Sequence, residues 1–380
     1  MGDNEQGCLG ASITHPHHVF AFGHHEKFTL GHEPILAPHP RAGKDSLRSP
    51  SKVAAMARTL ALSLLLVAAC QTPATSGQHP DLVANDQKIK AGEEERRALQ
   101  AVLVRLDQAI DSYVQAVNNQ GEVRADTVAE RLERLIRETV LDNGPTPLNP
   151  PGNELAPPRE PGENFRQIRA LAADGSDPDN QKIALAALGF SGVYEVMPTI
   201  LQGAQLSDPF VVEGALLGLA VLRAPTTPPG VLSAVVMRQD HPEDGRVMAA
   251  WALYRLHTAT ERTGPILDAW KQFLAAADTM PAGVLVQAVR GIGHARDAGN
   301  AALVVPFLQH PVPRLRMAAA VSIGRMNAQQ YWQEVLALLT PAETSQNVRL
   351  HASKALAELA GGVDHGYDVP AWRKTFDRGQ

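Results

Sequence analysis

Residues 315–324 read Leu-Arg-Met-Ala-Ala-Ala-Val-Ser-Ile-Gly, with Ala319 four positions before a large aliphatic residue, Ile323. The same pairing occurs six times between residues 184 and 356, and successive aliphatic members are 31 to 39 residues apart. The pairs are Ala184 and Leu188, Ala215 and Leu219, Ala249 and Leu253, Ala288 and Ile292, Ala319 and Ile323, and Ala352 and Leu356. A spacing of four puts both members on one helix face, and a near-constant period of this length is typical of stacked helical units. We therefore predict an all-α solenoid in which these twelve residues pack the core.

The composition excludes several classes of function. The 380 residues include 35 Lys and Arg against 40 Asp and Glu, a formal net charge of −5. Proteins that bind nucleic acids usually have a basic surface, so no nucleic-acid partner is expected. The two cysteines, Cys8 and Cys70, both lie near the N terminus. A disulfide framework, a cysteine-based zinc site and a thiol nucleophile are therefore excluded from the body of the chain.

The repeat resembles a known family. Val348–Leu356 and Leu315–Gly324 are similar to the Val-Arg-x-x-Ala-x-x-Ala-Leu-Gly signature of bacterial HEAT repeats of the phycobilisome-lyase type. The resemblance covers residues 163–360 and implies a HEAT-like α-solenoid of about six helix pairs. The signature arginine is kept only in part, at Arg246, Arg316 and Arg349. The resemblance is one of fold, so it implies no lyase chemistry.

The N-terminal region contains a targeting signal. An apolar run of ten residues, Leu60–Ala69, follows Arg58 and ends at Cys70. A basic start, a short apolar core and small residues are typical of a secretory signal peptide, here 56–69, and a bilayer span would need about 20 residues. The closing Val-Ala-Ala-Cys resembles a bacterial lipobox, which implies cleavage before Cys70 and a diacylglycerol or acyl lipid on that residue. In lipoproteins of this kind, an Asp after the lipidated Cys favours retention at the inner membrane, whereas Gln71 resembles the pattern of proteins sorted to the outer membrane. We therefore expect a lipid-anchored envelope protein facing the periplasm.

Residues 1–55 precede this signal. A signal peptide stands at the start of a chain, so this stretch is interpreted as disordered and as lying upstream of a true start at Met56. It is rich in histidine but has no regular spacing, so no metal site is predicted there. Its histidines are His15, His17, His18, His24, His25, His32 and His39.

Between the signal and the repeats we predict three segments. Residues 70–85 are expected to form a flexible tether, and residues 86–143 two amphipathic helices in a hairpin. The apolar stripe of the first helix comprises Leu99, Leu103, Leu106, Ile110, Tyr113 and Val117. This stripe either packs within the chain, capping the solenoid, or mediates self-association. Seven prolines within residues 145–161 predict a semi-rigid linker, 144–162, at a domain boundary.

The C-terminal segment, 361–380, is predicted to cap the array. It resembles a Gly-Tyr-Asp-x-x-x-Trp-Arg ending found after some bacterial HEAT arrays. The last unit of a solenoid has no neighbour, and Tyr367, Trp372 and Phe376 are suited to cover it.

No recognisable catalytic constellation is present. The sequence lacks G-x-S-x-G, H-E-x-x-H and phosphate-loop motifs. Two short polar clusters are interpreted as solvated turns rather than metal sites: His241, Glu243 and Asp244, and Asp364, His365 and Asp368. We therefore expect no enzyme activity, no metal and no cofactor beyond the lipid.

The pattern favours an envelope scaffold that binds a protein partner through the solenoid, near the membrane that anchors it. Two alternatives remain. One is an enzyme or enzyme accessory with a pocket in the solenoid groove, for which the titratable residues of the second helices are scattered: Glu195, Asp268, Lys271 and Glu334. The other is an oligomeric structural or assembly lipoprotein that associates through residues 86–143.

Overall fold

The computed structural model describes residues 80–118, 125–142 and 162–377, and every regular element in these ranges is a helix. The predictions of an all-α fold and of a solenoid of stacked helical units are confirmed. None of the described helices is both long and apolar enough to cross a membrane. The predicted signal peptide, Cys70 and the histidine-rich stretch lie outside the described residues.

Six units form the array, each with a first helix that packs against the first helix of the next unit. The first helices are α4 (Pro178–Phe190), α6 (Pro209–Leu222), α8 (Glu243–His257), α10 (Ala282–His294), α11 (Pro313–Arg325) and α13 (Gln346–Leu359). The α-helical second members are α5 (Met197–Gly203), α7 (Pro229–Met237), α9 (Gly264–Ala275), α12 (Trp332–Ala337) and α14 (Val369–Asp377). One further helix, α3 (Glu163–Ala173), precedes the first unit.

Local sequence explains where the first helices begin. Asp177 and Asp208 stand at the N-caps of α4 and α6, and the carboxylate of Asp208 accepts a hydrogen bond from the backbone N–H of Phe210 (3.0 Å). Pro178 and Pro209 follow at the first helical position, where a missing N–H leaves no hydrogen bond unmade. The starts of these two helices are therefore fixed by an aspartate–proline pair.

The twelve repeat positions all lie in the core, on the first helices, as their spacing predicts. The six alanines are Ala184, Ala215, Ala249, Ala288, Ala319 and Ala352, each with an exposed fraction of 0%. The six aliphatic anchors are Leu188, Leu219, Leu253, Ile292, Ile323 and Leu356, with exposed fractions between 0% and 3%. Residues this deeply buried cannot contact a ligand, so these positions pack the solenoid and belong to no binding site.

The other notable side chains of the array also serve packing. Trp251, Trp270 and Trp332 are buried in the core. The Nε of Arg246, a signature arginine, donates to the carbonyl of Val236 at the end of α7 (2.8 Å). A second one, Arg316, forms a two-pronged ion pair with Glu343 (2.6 and 2.8 Å). These arginines join elements instead of forming an exposed ladder.

The fourth unit departs from the expected pair. Its apolar residues Leu303, Val304, Phe307 and Leu308 have a spacing that fits a second α-helix, but the chain forms two 3₁₀ helices, Ala298–Leu303 and Val305–Gln309. Pro306 lies at the start of the second, and its ring removes a backbone donor that a continuous α-helix would need. The unit is therefore completed by 3₁₀ turns.

The hairpin consists of α1 (Pro80–Asn118) and α2 (Ala125–Leu141), so α1 begins six residues before the expected boundary at 86. Both helices contact α4. The stripe residues Leu103, Leu106, Ile110 and Tyr113 are buried, and the Tyr113 ring meets Phe190 of α4 edge-on at 4.9 Å between centroids. The stripe is thus covered by the chain itself, and self-association through it would require the hairpin to detach.

The described residues on either side of the proline-rich stretch touch each other. The backbone N–H of Gly162 donates to the carbonyl of Leu141 (2.9 Å), and the side-chain amide of Asn164 donates to the carbonyl of Thr139 (3.0 Å). Hairpin and solenoid also share one hydrophobic core. The described residues on the two sides of the predicted boundary therefore pack against each other, while the linker itself lies outside the described residues.

The C-terminal helix closes the array. Trp372 is fully buried, and the Phe376 ring stacks on Trp332 with centroids 5.0 Å apart. The indole N–H of Trp372 donates to the carbonyl of Gly366 (2.9 Å). Tyr367, expected to share this role, is instead half exposed beneath the guanidinium of Arg349.

Candidate functional site

The first helices present a column of residues on their outer side, two positions after each aliphatic anchor. This outer column consists of Phe190, Val221, Arg255, His294, Arg325 and Glu358. Its first two members are apolar and buried beside the hairpin, whereas its last four are charged or titratable and none is fully buried. The character of the column changes along the array while the core beneath it stays the same.

Arginines concentrate along this side of the molecule. We define the arginine rim as Arg137, Arg223, Arg255, Arg290, Arg296 and Arg325. Arg137 comes from α2 and the other five from the first helices or the turns that end them. Among the residues that the structure describes, Arg137 is paired with Glu133 (3.2 Å), while no carboxylate lies within 4.0 Å of the others. A chain of net charge −5 therefore carries a cationic surface there.

Backbone carbonyls at helix ends hold the first part of the rim. The Nε of Arg137 donates to the carbonyl of Phe190 (3.1 Å), and that of Arg255 donates to the carbonyl of Ala220 (3.4 Å). Arg223 reaches the carbonyl of Val221 (3.4 Å). A cation at a helix C terminus is favourable because the carbonyls there are unpaired and partly negative. One role of these arginines is therefore structural.

Arg255 is a partly buried member of the rim. Burial lowers the pKa of its guanidinium; Tyr113 and Glu133 oppose the shift and Arg223 adds to it. Burial likewise raises the pKa of the Tyr113 hydroxyl, against the effect of Arg255. These mutual effects place a hairpin tyrosine and two rim arginines in one cluster.

A cavity of 270 Å³ opens where α2 meets the turns after α4 and α6. It is lined by Glu133, Arg137, Gly189, Gly192, Tyr194, Val221, Leu222, Arg223, Pro225 and Ala259. The side chain of Tyr194 is about half exposed at this site. The cavity combines two guanidinium groups with an aromatic and aliphatic wall.

The second part of the rim lies over α8, α10 and α11. The guanidinium of Arg290 sits 4.4 Å from the centre of the Tyr254 ring, a cation–π geometry. Burial lowers the pKa of His294, and the nearby Arg325 and Arg296 lower it further. Burial raises the pKa of Glu358, which the same two arginines oppose. This region is open to solvent and mostly cationic.

A buried histidine, His257, packs next to His294 of the outer column. His257 accepts a hydrogen bond at Nδ1 from the indole N–H of Trp270 (3.2 Å), and its ring lies 4.9 Å from that of His294. Burial, with a smaller contribution from His294, lowers the pKa of His257 to about 4. It is therefore a neutral acceptor at neutral pH.

The predicted polar clusters do not converge into a metal or catalytic site. In the described ranges no group of three or more His, Cys, Asp or Glu side chains is arranged to hold a metal ion. His241 is buried, while Glu243 and Asp244 beside it are more exposed. Asp364 and Asp368 are exposed, and the Nε2 of His365 lies 2.7 Å from the hydroxyl of Thr375.

The titratable residues of the second helices do not gather in the groove either. Glu195 is exposed in the turn before α5, and Asp268 and Lys271 are exposed on α9. Glu334 is half-buried on α12, in a different unit from the others. The arrangement that remains is the cationic rim, which is suited to binding an anionic surface.

Sequence reasoning missed the rim. The sequence did contain a signal for part of the rim, because aligning the six first helices on their aliphatic anchors also aligns the residues of the outer column. Only Arg255 and Arg325 belong to this column. Arg290 lies one helical turn before His294 on α10. Arg137, Arg223 and Arg296, in contrast, lie on the hairpin or in the turns, and only packing brings these three beside the column.

The chain resembles known proteins in fold. No family model matches the chain, and no curated protein matches it. Solved structures that it resembles include an engineered protein at 18% identity, covering 52% of this chain and 97% of that one with a TM-score of 0.40. A mutant of Kap121p matches at 13% identity over 69% of this chain and 29% of its own length, with a TM-score of 0.46. The complex of CpcE and CpcF of phycocyanin lyase from Nostoc sp. matches at 14% identity over 72% and 94%, with a TM-score of 0.34. At these values the comparisons carry no argument, and the helical solenoid rests on the structure itself.

Proposed function

We propose that this protein is a lipid-anchored scaffold of the cell envelope, held at the outer membrane through Cys70 and facing the periplasm, which binds an acidic segment of a partner protein along the arginine rim. The observation that carries the binding role is the rim itself: five arginines of an acidic chain that have no carboxylate within 4.0 Å among the described residues. Complementary charge steers association and selects partners.

The geometry favours an extended ligand over a small molecule. The rim arginines come from α2 and from helices or turns of four successive units. A solenoid presents such equivalent positions at regular intervals, so one partner segment can contact several units. Anchoring at the membrane raises the effective concentration of the scaffold near partners in the same membrane.

Binding is tested with a fluorescein-labelled polyglutamate peptide and the full chain, by fluorescence anisotropy. We expect the double variant Arg290→Glu/Arg325→Glu to weaken binding by about tenfold or more, because two attractive charges become repulsive. Lys271→Glu is the matched control, since it reverses an exposed cation on α9, away from the rim. Equal losses in both variants would show non-specific attraction and remove the rim from the proposal.

Two further measurements define the class of partner. Binding should weaken as salt rises, because solvent-exposed charges are screened. Duplex DNA, added as competitor, should displace the peptide poorly. Displacement by DNA at lower concentration than by unlabelled peptide would make the ligand a nucleic acid and contradict the proposal.

Anchoring is tested separately by fractionating cells that express the full chain or its Cys70→Ala variant. The lipid on Cys70 is expected to keep the protein in the membrane fraction, and its loss to release the protein. Retention of the variant in membranes would overturn the anchoring proposal and leave the binding proposal intact.

A further inference from the structure

We propose that the cavity between α2 and the turns after α4 and α6 is a carboxylate subsite, which fixes one end of the partner's acidic segment. The proposal rests on the proposed function, because it assigns a specific pocket to the ligand of the rim. The group recognised is a carboxylate beside an apolar side chain, which is a more specific requirement than general charge attraction.

Guanidinium groups line the cavity from two elements. Arg137 reaches it from α2 and Arg223 from the turn after α6. Behind them, the half-buried Arg255 interacts electrostatically with Arg223. Glu133 is the acidic residue of the lining, and it is already engaged with Arg137 at 3.2 Å. The local balance is therefore positive, and a carboxylate would restore neutrality.

Arg223 has donors to spare. A guanidinium carries five N–H donors in a planar fork that matches a carboxylate. The structure uses the Nε–H of Arg223 for one long hydrogen bond to the carbonyl of Val221, its neighbour two residues before. The remaining donors can therefore serve a ligand in the cavity.

The backbone of Arg223 is a second, independent observation. Its φ is +48°, in the left-handed region that glycine and asparagine adopt most easily. At the same position after the anchor, the first and fifth units have Gly192 (φ +72°) and Asn327 (φ +50°), while the fourth unit has a second rim arginine, Arg296 (φ +53°). A bulky residue in this conformation is unfavourable for folding, and such residues concentrate at functional sites. Glycine or asparagine would stabilise this turn more than Arg223 does.

The rest of the lining defines the neighbour of the carboxylate. Tyr194, Val221 and Pro225 form an apolar wall, and the phenol ring of Tyr194 is about half exposed. A volume of 270 Å³ is slightly below the ~300–1,000 Å³ of typical small-molecule sites, so it suits a terminal residue or one acidic side chain with its neighbour. The carboxylate can come from a chain terminus or from a glutamate or aspartate.

The test uses a fluorescein-labelled peptide that ends in Glu-Phe with a free carboxylate, and the full chain. Two matched peptides separate the sources: one is amidated at the C terminus, the other has glutamine in place of glutamate. Arg223→Asn removes the guanidinium and keeps a residue that tolerates the backbone. Arg169→Asn is the control, because it removes an exposed guanidinium on α3, outside both the rim and the cavity lining.

We expect Arg223→Asn to weaken binding of the parent peptide by about tenfold, and Arg169→Asn to change it by less than about threefold. If amidation of the C terminus weakens binding, the recognised group is the terminal carboxylate. If glutamine in place of glutamate weakens binding, the recognised group is the side-chain carboxylate. The proposal is overturned if Arg223→Asn binds like the wild type, or if a peptide with neither carboxylate binds as well as the parent. If polyglutamate binding still depends on Arg290 and Arg325 in that case, the cavity alone is wrong and the rim stands.

Discussion

The two halves of the array share one core pattern and differ on their outer side. In the first half the outer column begins with two apolar residues, Phe190 and Val221, which are buried beside the hairpin, and ends with the partly buried Arg255. In the second half the same column holds His294, Arg325 and Glu358, and no hairpin helix makes extensive contact with the helices that carry them. Identical positions in a repeat thus acquire different chemistry according to what covers them.

This difference also separates stability from recognition. Where the hairpin covers the column, side chains contribute buried apolar area, which is the dominant stabilising term in folding. Where the column is open, charged side chains contribute little to stability and remain available for a ligand. The rim crosses the border between the halves at Arg255, which serves both roles.

The largest expected effect is at the covered end of the column. Phe190→Ala should lower the free energy of unfolding by about 3–5 kcal/mol, because it removes a fully buried ring and its contact with Tyr113. Urea denaturation followed by circular dichroism measures this. Arg325→Ala, at the same column in the open half, should change stability by less than about 0.5 kcal/mol. Similar losses in both variants would contradict the distinction.

The hairpin is tested from its own side by Leu106→Ala. Leu106 is fully buried, so we expect a loss of about 2–5 kcal/mol and faster proteolysis of the hairpin. Val104→Ala is the control, because Val104 lies on the exposed side of the same helix and should have little effect. Equal sensitivity of the two variants to protease would mean that the hairpin does not depend on docking.

His257, at the end of α8, predicts that the stability of the fold depends on pH. Burial holds the pKa of His257 at about 4 in the folded protein, below its ordinary 6.5, so the unfolded chain binds the proton more readily. Stability is therefore complete above pH 6.5 and falls as the pH decreases from there towards 4, by at most about 3 kcal/mol from this residue. The lowered pKa of His294, caused by burial and by Arg325 and Arg296, adds a loss of the same sign.

The His257→Gln variant isolates this contribution. Glutamine can accept the hydrogen bond from Trp270 but does not titrate, so the variant should be less stable at neutral pH and lose less stability between pH 6.5 and 4. Parallel curves of unfolding free energy against pH for the two proteins would exclude His257 as the source.

The smallest expected effect has the opposite sign. Arg223→Asn should raise the free energy of unfolding by up to about 1 kcal/mol, because asparagine adopts the left-handed backbone at lower cost than arginine. Thermal denaturation measures the shift. A destabilised variant would show that the hydrogen bond of Arg223 to Val221 outweighs the backbone term, and would weaken the case that this arginine is there for a ligand.

Much of the fold was predictable from spacing alone. The recurrence of an alanine four residues before an aliphatic residue placed all six first helices, because helical packing requires a small residue and a large one on the same face. The anchors Leu188, Leu219, Leu253 and Ile292 are buried as that spacing requires, and so are the two that follow them. The fourth unit was not predictable to the same degree. Its stripe around Phe307 has the spacing of an α-helix, but Pro306 and short local segments produce 3₁₀ turns instead.

The candidate site was less accessible to sequence reasoning. A proline-rich sequence is compatible both with a linker between two domains and with a connection between two parts of one domain. The contact between Gly162 and Leu141 is tertiary, and so is the packing of the hairpin on α4. Arg137 and Arg223 are 86 residues apart by number, and no periodicity relates them.

The sequence by itself determined the helical class, the number of units and the residues of their core, because these follow from local periodicity and side-chain volume. It also contains the Val-Ala-Ala-Cys stretch that resembles a lipobox, and the lipid anchor at Cys70 stays a prediction. Only the tertiary structure decided which outer surface the hairpin covers and which arginines gather beside it. The physical reason is that burial and charge clustering depend on contacts between distant segments, which a repeat pattern does not encode.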